Sequence, residues 1–292
     1  MKSLFTILLT VITVATFAQK DFQGKATYMS KTTMDMDSWG NGQMSDQRKK
    51  QIAERMKSML EKTFVLSFDK TASIYKEEEK LAAPTAGGNG GFRFGGFGGG
   101  GTNYKNIKDG NALESTEFLG KEFLITEELE KPNWELSGET KQIGNYIAYK
   151  ATMLKATDAM DWSNMRRRNR DDDKKKEDEA KKDTANVVKI SDDIEMPKQV
   201  LVTAWWTPQI PVSNGPGEYW GLPGLILEIN SGRTTVLCTE IVLNPSEKIE
   251  IEAPKKGSKV TRTEYDEMVK TKMEEMRERF QGRGGRGGRG RG

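Results

Sequence analysis

The 292-residue chain has no histidine and a single cysteine, Cys238. Without an imidazole it lacks the usual general base near neutral pH, every Ser-His or Cys-His dyad, and the commonest metal ligand. One cysteine excludes an intrachain disulfide, so stability has to come from a packed core. No segment after the first eighteen residues approaches the run of about 20 apolar residues that crosses a bilayer as a helix. Neither sign of charge dominates, with 46 basic and 43 acidic residues. Setting aside Lys2 and the four arginines of the last twelve residues leaves 41 basic against 43 acidic groups, so the body is not a polyanion-binding surface by composition.

The first eighteen residues form a leader. Lys2 precedes an apolar stretch from Leu4 to Val14, and Thr16 and Ala18 occupy the −3 and −1 positions of a cut before Gln19. A cleavable signal of this kind predicts export to the periplasm or the medium. No cysteine near the cut offers a lipid anchor.

Along the mature chain the pattern predicts one domain over residues 19–280. A strand is expected at 24–29, then an amphipathic helix over 45–62 with Ile52, Met56, Met59 and Leu60 on one face. Phe64, Leu66 and Phe68 alternate in the next strand, and Ser73-Ile74-Tyr75-Lys76 supplies its hairpin partner. Residues 84–101 are a glycine-rich flexible loop holding Phe92, Arg93, Phe94 and Phe97. Short strands follow at 117–119, 122–125, 134–136 and 146–151. Opposed blocks such as Arg166-Arg167-Arg168 and Asp171-Asp172-Asp173 make residues 158–195 a charged insertion without a core, expected to be mostly disordered. Strands at 200–206, 225–229 and 234–243 come next, with Leu225, Leu227 and Ile229 inward and Glu228 outward. Residues 249–253, a helix over 263–280 and a disordered Arg-Gly tail at 281–292 close the chain.

This order predicts a mainly β, α+β fold: a curved antiparallel sheet or partly open barrel with two flanking helices. The expected core includes Phe64, Leu66, Phe68, Leu201, Leu225, Leu227, Ile229 and Leu237. Cys238, between apolar strand residues and without a basic neighbour, reads as a buried small hydrophobe.

The loop from Thr207 to Gly224 carries the most conformational information. Pro208, Pro211 and Pro216 stiffen it, Gly215 and Gly217 permit positive φ, and Leu222-Pro223-Gly224-Leu225 has the residues of a type II turn. Trp205, Trp206, Tyr219 and Trp220 surround it. With Gly221, Leu222, Pro223 and Gly224 they are the candidate binding residues, because aromatic groups beside a rigid loop either pin it or line a pocket.

Gly221-Leu222-Pro223-Gly224-Leu225-Ile226 resembles the signature of the GLPGLI family, exported proteins common in the Bacteroidetes. Ala204 to Ser213 and Gly215 to Ile229 resemble its central block, and Ile143-Gly144-Asn145-Tyr146 a second one. The resemblance implies a secreted or periplasmic β-rich protein without an established activity, often encoded near outer-membrane receptor-like barrels. It also implies that a cysteine is common where this chain has Ala148, which would make Cys238 the remaining half of a pair.

These observations predict a non-enzymatic envelope protein that binds a protein partner or an apolar ligand, with no cofactor, no metal and no catalytic residue. Two alternatives stand beside it. A carboxylate-dependent enzyme would draw on Glu135, Glu218 or Glu228, which lie near tryptophans. The Arg-Gly tail would hold nucleic acid or an anionic surface, a role that export weakens. Fourteen methionines raise copper binding, but Met56 and Met59, like Met273 and Met276, fall at core spacing.

Overall fold

The computed structural model describes residues 22–33, 45–78, 101–157, 166–167, 187–191, 194–197 and 199–284. The leader, the glycine-rich loop up to residue 100, most of the charged insertion and residues 285–292 lie outside them. In chain order the elements are β1 (Gln23–Thr32), α1 (Asp46–Leu60), β2 (Glu61–Asp69), β3 (Ala72–Glu77), β4 (Thr102–Asn106), β5 (Asn111–Phe118), β6 (Lys121–Glu128), β7 (Glu135–Ile143) and β8 (Tyr146–Ala156). They continue with β9 (Arg166–Arg167), β10 (Val187–Ser191), β11 (Ile194–Pro197), β12 (Gln199–Thr207), β13 (Leu225–Ser231), β14 (Thr234–Leu243), β15 (Ser258–Val260) and α2 (Arg262–Gly284).

Twelve strands make one open sheet in the order β15-β6-β5-β4-β3-β2-β1-β14-β13-β12-β8-β7. Every pairing in it is antiparallel except that of β15, which lies parallel to β6; short turns join β2 to β3, β4 to β5, β5 to β6, β7 to β8 and β13 to β14, and longer segments connect the other neighbours. The expected mainly β fold with two helices is therefore present. The sheet does not close into a barrel: it ends at β7 and β15.

Two bulges shape the centre. In β13 the register steps from Glu228 opposite Trp205 to Ile226 opposite Trp206, so Leu227 is the extra residue. In β14 the register with β1 skips Thr239. The first bulge splits what simple alternation would have kept on one side. Leu225 and Leu227 join a cluster with Tyr28, Leu66, Phe68, Ile210 and Val212. Ile229 instead packs with Ile226, Val202, Ala204, Trp206 and Leu222 in a second cluster.

The core expectations hold for Leu66, Phe68, Leu225, Leu227 and Ile229, and Phe64 is half-buried against the first cluster. Leu201 and Leu237 are corrections, at 58% and 37% exposure. In both strands the phase differs by one residue from the expectation: Val202 and Ala204 take the buried side of β12, and Val236 and Cys238 pack inward from β14.

Ser45 caps α1 by accepting a hydrogen bond from the Arg48 amide at 3.4 Å. The helix leans on β1 and β2, with Ile52, Met56 and Leu60 half-buried; the side chain of Met59 lies outside the description. Through Tyr265, Met268, Val269 and Met273, α2 packs on Phe118 and Phe123. Arg262 fastens its start to Glu127 at 3.0 Å and to Glu114. The helix runs four residues beyond the expected end at Phe280, to Gly284. Within the stretch expected to be disordered, β10 and β11 form a hairpin that β9 joins. Val187, Val188, Ile190 and Ile194 are strong β formers set apart from the charge blocks. Residues 249–253 are irregular, tied to β1 by Gln23, whose side chain accepts from the Ile249 amide at 3.2 Å.

Candidate functional site

The segment between Thr207 and Leu225 folds back into the core. The amides of Leu225 and Ile226 donate to the carbonyls of Ile210 and Asn214 at 2.9 and 3.0 Å, which closes the base of the loop. Its apolar residues Ile210, Val212 and Leu222 are 0%, 2% and 1% exposed. Glycines fit the path for two reasons. Gly217 and Gly221 have φ of 58° and 93°, where a side chain is strained. Gly215 and Gly224 are demanded by space: a Cβ on Gly224 would stand 2.0 Å from the Thr207 carbonyl oxygen, and one on Gly215 2.8 Å from the Ile226 Cβ. Gly224 and Gly215 are not among the positive-φ glycines, so the signature does not contain the expected type II turn at Pro223-Gly224.

A lysine that sequence reasoning missed holds the tip of this loop. Lys105 in β4 is 2% exposed, and its Nζ donates to the carbonyls of Gly215, Gly217 and Tyr219 at 3.0, 2.7 and 3.1 Å. Three ammonium hydrogens thus meet three acceptors. Burial pulls its pKa down to about 7, with the Glu218 carboxylate acting in the opposite direction. Beside it, the Ser73 hydroxyl donates to the Asn214 Oδ1 at 2.9 Å, with both residues fully buried. A strand lysine within Thr-Asn-Tyr-Lys-Asn reads as solvated, and only the fold shows otherwise.

The candidate binding residues divide into a sealed set and an accessible set. Trp206 and Trp220 are each 9% exposed, Leu222 is sealed, and Gly224 is buried. Trp205 is half-buried, with the Lys141 ammonium 4.3 Å above its ring. Tyr219 and Gly221 are half-buried, and Pro223 is exposed. Around the second cluster lies an aromatic rim. The Trp134 indole donates to the Trp220 carbonyl at 2.8 Å, its ring centroid is 6.5 Å from that of Tyr219, and Tyr149 meets Trp206 at 5.6 Å. Leu136, Ile147 and Tyr149 stand out from this rim at 63%, 55% and 37% exposure. The Trp206 indole nitrogen is buried without a partner.

Two of the three carboxylates near tryptophans are engaged by cations or an amide. Glu228 meets Lys141 and Asn230, each at 2.7 Å, and Glu218 meets Lys155 at 2.6 Å. Glu135 lies exposed at the start of β7. Among the described residues no group of three His, Cys, Asp or Glu side chains is arranged to hold a metal ion. Cys238 is half-buried, and burial pushes its thiol up to about 12. It lines a cavity of about 210 Å³ where β13 and β14 part, together with Ile143, Tyr146, Leu227 and Ile241. Ala148 belongs to the same core cluster that Cys238 packs against.

Residues 134–228, from Trp134 through β7, β8, β12 and the loop to Glu228, match a family described as a protein of unknown function, Porph_ging. No curated protein matches the chain in sequence. Among solved structures the chain is similar to PNGF-II in its C2 and P21 crystal forms, at 13% and 14% identity and a TM-score of 0.45 in each. These alignments cover 85% of this chain and 32% and 33% of the other, so the chain spans about a third of the length of PNGF-II.

Proposed function

We propose that this chain is an exported, non-enzymatic binding module of the GLPGLI kind. It acts in the periplasm or at the cell envelope and takes a protein or apolar partner on the rim around the 207–224 loop. The observation that carries this is the placement of exposed apolar side chains. Leu136, Ile147 and Tyr149 stand on β7 and β8, on the side of the sheet that carries Ala151 and Trp206, within the stretch that matches the uncharacterised family. Large apolar groups concentrated on a surface beside half-buried aromatics are a feature of interaction sites. The loop supplies Tyr219, Gly221 and Pro223 to that face, and Trp206, Trp220 and Leu222 form the floor that keeps it rigid.

The experiment is capture from envelope fractions of the producing cells with the tagged mature chain and a Leu136→Ser/Tyr149→Ser variant. The variant should lose the partner while keeping its unfolding midpoint. Capture that is undiminished, or that depends on the Arg-Gly tail instead, would overturn the proposal. Sequencing of the protein recovered outside the cytoplasm should begin at Gln19.

A further inference from the structure

We propose that the free edge of β14 is a strand-addition site whose occupant is this chain's own Phe92-Arg93-Phe94 segment, with Arg93 opposite Glu240 and a phenylalanine ring in the cavity beside Cys238. The edge comes first. β13 pairs with β14 only from Thr234 to Leu237, whereas β1 pairs with it along its whole length. From Cys238 to Leu243, six residues, the side turned away from β1 therefore has no strand beside it among the described residues. Leu237, Val242 and Leu243 are exposed there at 37%, 40% and 36%. An open edge of this length with apolar side chains is one that folded proteins cover, since it templates pairing with any extended chain.

The site selects its occupant by shape and charge. Ile143, Tyr146, Leu227, Cys238 and Ile241 line the cavity of about 210 Å³ at this edge, and an apolar cavity of about 150 Å³ already holds a benzene ring. One phenyl side chain fits. Ile241 packs inward, while Glu240 is exposed and, among the described residues, forms no ion pair. Side chains alternate along an added strand, so a residue opposite Glu240 stays on the outer face and its two neighbours fall on the cavity side. Phe-Arg-Phe meets both demands, and Arg93 is the one charged residue between Lys80 and Lys105. The segment lies outside the described residues, but the strand ends from which it hangs are placed. Glu77 stands opposite Phe64, Phe64 opposite Tyr28 and Tyr28 opposite Cys238, so the end of β3 is in the same row as the cavity. The start of β4 is one strand farther, with Thr102 opposite Lys76, which puts an added strand five spacings away, about 24 Å along the sheet. Seven residues separate Gly101 from Phe94 and reach about 23–25 Å when extended; the fourteen from Glu78 to Phe92 reach about twice that. The sheet curves, bringing Tyr75 of β3 and Ala148 of β8 into one cluster, so the straight path is shorter than the path across the strands.

The strand-addition site stands apart from the binding face, and its test reads a thiol rather than capture. Cys238 is the single cysteine, so intact mass after N-ethylmaleimide treatment of the full mature chain reports its accessibility directly. The reaction is run well below the unfolding midpoint of each variant, so that it reports the cavity and not the unfolded chain. Wild type should react slowly, and Phe92→Ala/Phe94→Ala at least about tenfold faster, the weight of one buried phenyl side chain. Arg93→Glu and Glu240→Arg should each speed the reaction, and the two together should slow it again. Equal rates in wild type and Phe92→Ala/Phe94→Ala, or a charge-swapped pair no slower than its single variants, would overturn the proposal. A wild-type rate that rises on dilution would give the segment to a second copy and overturn the assignment to the same chain.

Discussion

Replacing Gly224 with alanine isolates the part that space plays in the signature loop. The added Cβ would lie 2.0 Å from the Thr207 carbonyl oxygen, 2.6 Å from its carbon and 2.9 Å from the Trp206 Cε3. An ordinary contact begins near 3.4 Å, so the end of β12 and the loop would have to part by more than an ångström. Both nearest atoms are backbone, and the backbone there is fixed by the Thr207–Leu225 register and the Leu225 to Ile210 hydrogen bond. Overpacking of this kind costs about 1–3 kcal/mol, and rigid neighbours place this site at the top of that range. The loss of unfolded-state freedom on going from glycine to alanine returns about 0.4–1 kcal/mol, leaving a net destabilisation of about 2 kcal/mol. Gly217→Ala is the control: its Cβ has open space, and only the positive φ penalises it, at about 1–2 kcal/mol before the same return. Urea unfolding of both variants gives the comparison, and with a slope of about 2 kcal/mol/M the Gly224→Ala midpoint should fall by roughly 1 M. A Gly224→Ala midpoint indistinguishable from wild type, or a larger loss in Gly217→Ala, would refute the reasoning.

Three further outcomes follow from other contacts. Lys105 should make unfolding stability rise with pH from about 7, because the folded amine has lost a proton that the unfolded chain keeps up to its ordinary value of 10.5. From about pH 9 the Cys238 thiol, pushed by burial to about 12 in the fold, works in the opposite direction, so the wild-type minus Lys105→Met difference between pH 7 and 9 is the quantity to measure. Arg262→Met should strand Glu114 and Glu127 and loosen the start of α2, at a cost of about 1–2 kcal/mol given their partial exposure, seen as faster proteolysis within residues 262–270. Trp134→Phe keeps an aromatic ring but loses the indole N–H bond to the Trp220 carbonyl and part of the packing on the second cluster, and should cost about 1–2 kcal/mol in thermal unfolding.

Where alternation was regular, the sequence was legible. Leu66 and Phe68 were placed inside from period two alone, and the β13–β14 hairpin from its flanking β formers and the Asn230-Ser231-Gly232 turn. The failures have local physical causes. The phase of β12 is hidden because Leu201 and Val202 are both good strand residues, and only the partners of Val202 decide which goes in. The split between Leu227 and Ile229 follows from a bulge set by pairing with Trp205 and Trp206, which no property of β13 announces. In the candidate site, the built character of the 207–224 loop was visible in its prolines and glycines. Which glycines served conformation and which served space was not, since the latter depends on the approach of Thr207 and Ile226 from outside the loop. Lys105 was invisible because its three acceptors lie more than a hundred residues away.

The central claim is that the signature residues hold the fold and the neighbouring rim does the binding. Equilibrium unfolding and partner capture, measured side by side on Leu222→Ala and on Leu136→Ser/Tyr149→Ser, test it most directly. Leu222, 1% exposed in the second cluster, should cost about 2–5 kcal/mol on truncation, yet the protein that stays folded should still capture the partner. The rim variant should keep its stability and lose capture. A Leu222→Ala protein that is as stable as wild type but no longer binds, beside a rim variant that binds normally, would contradict the account.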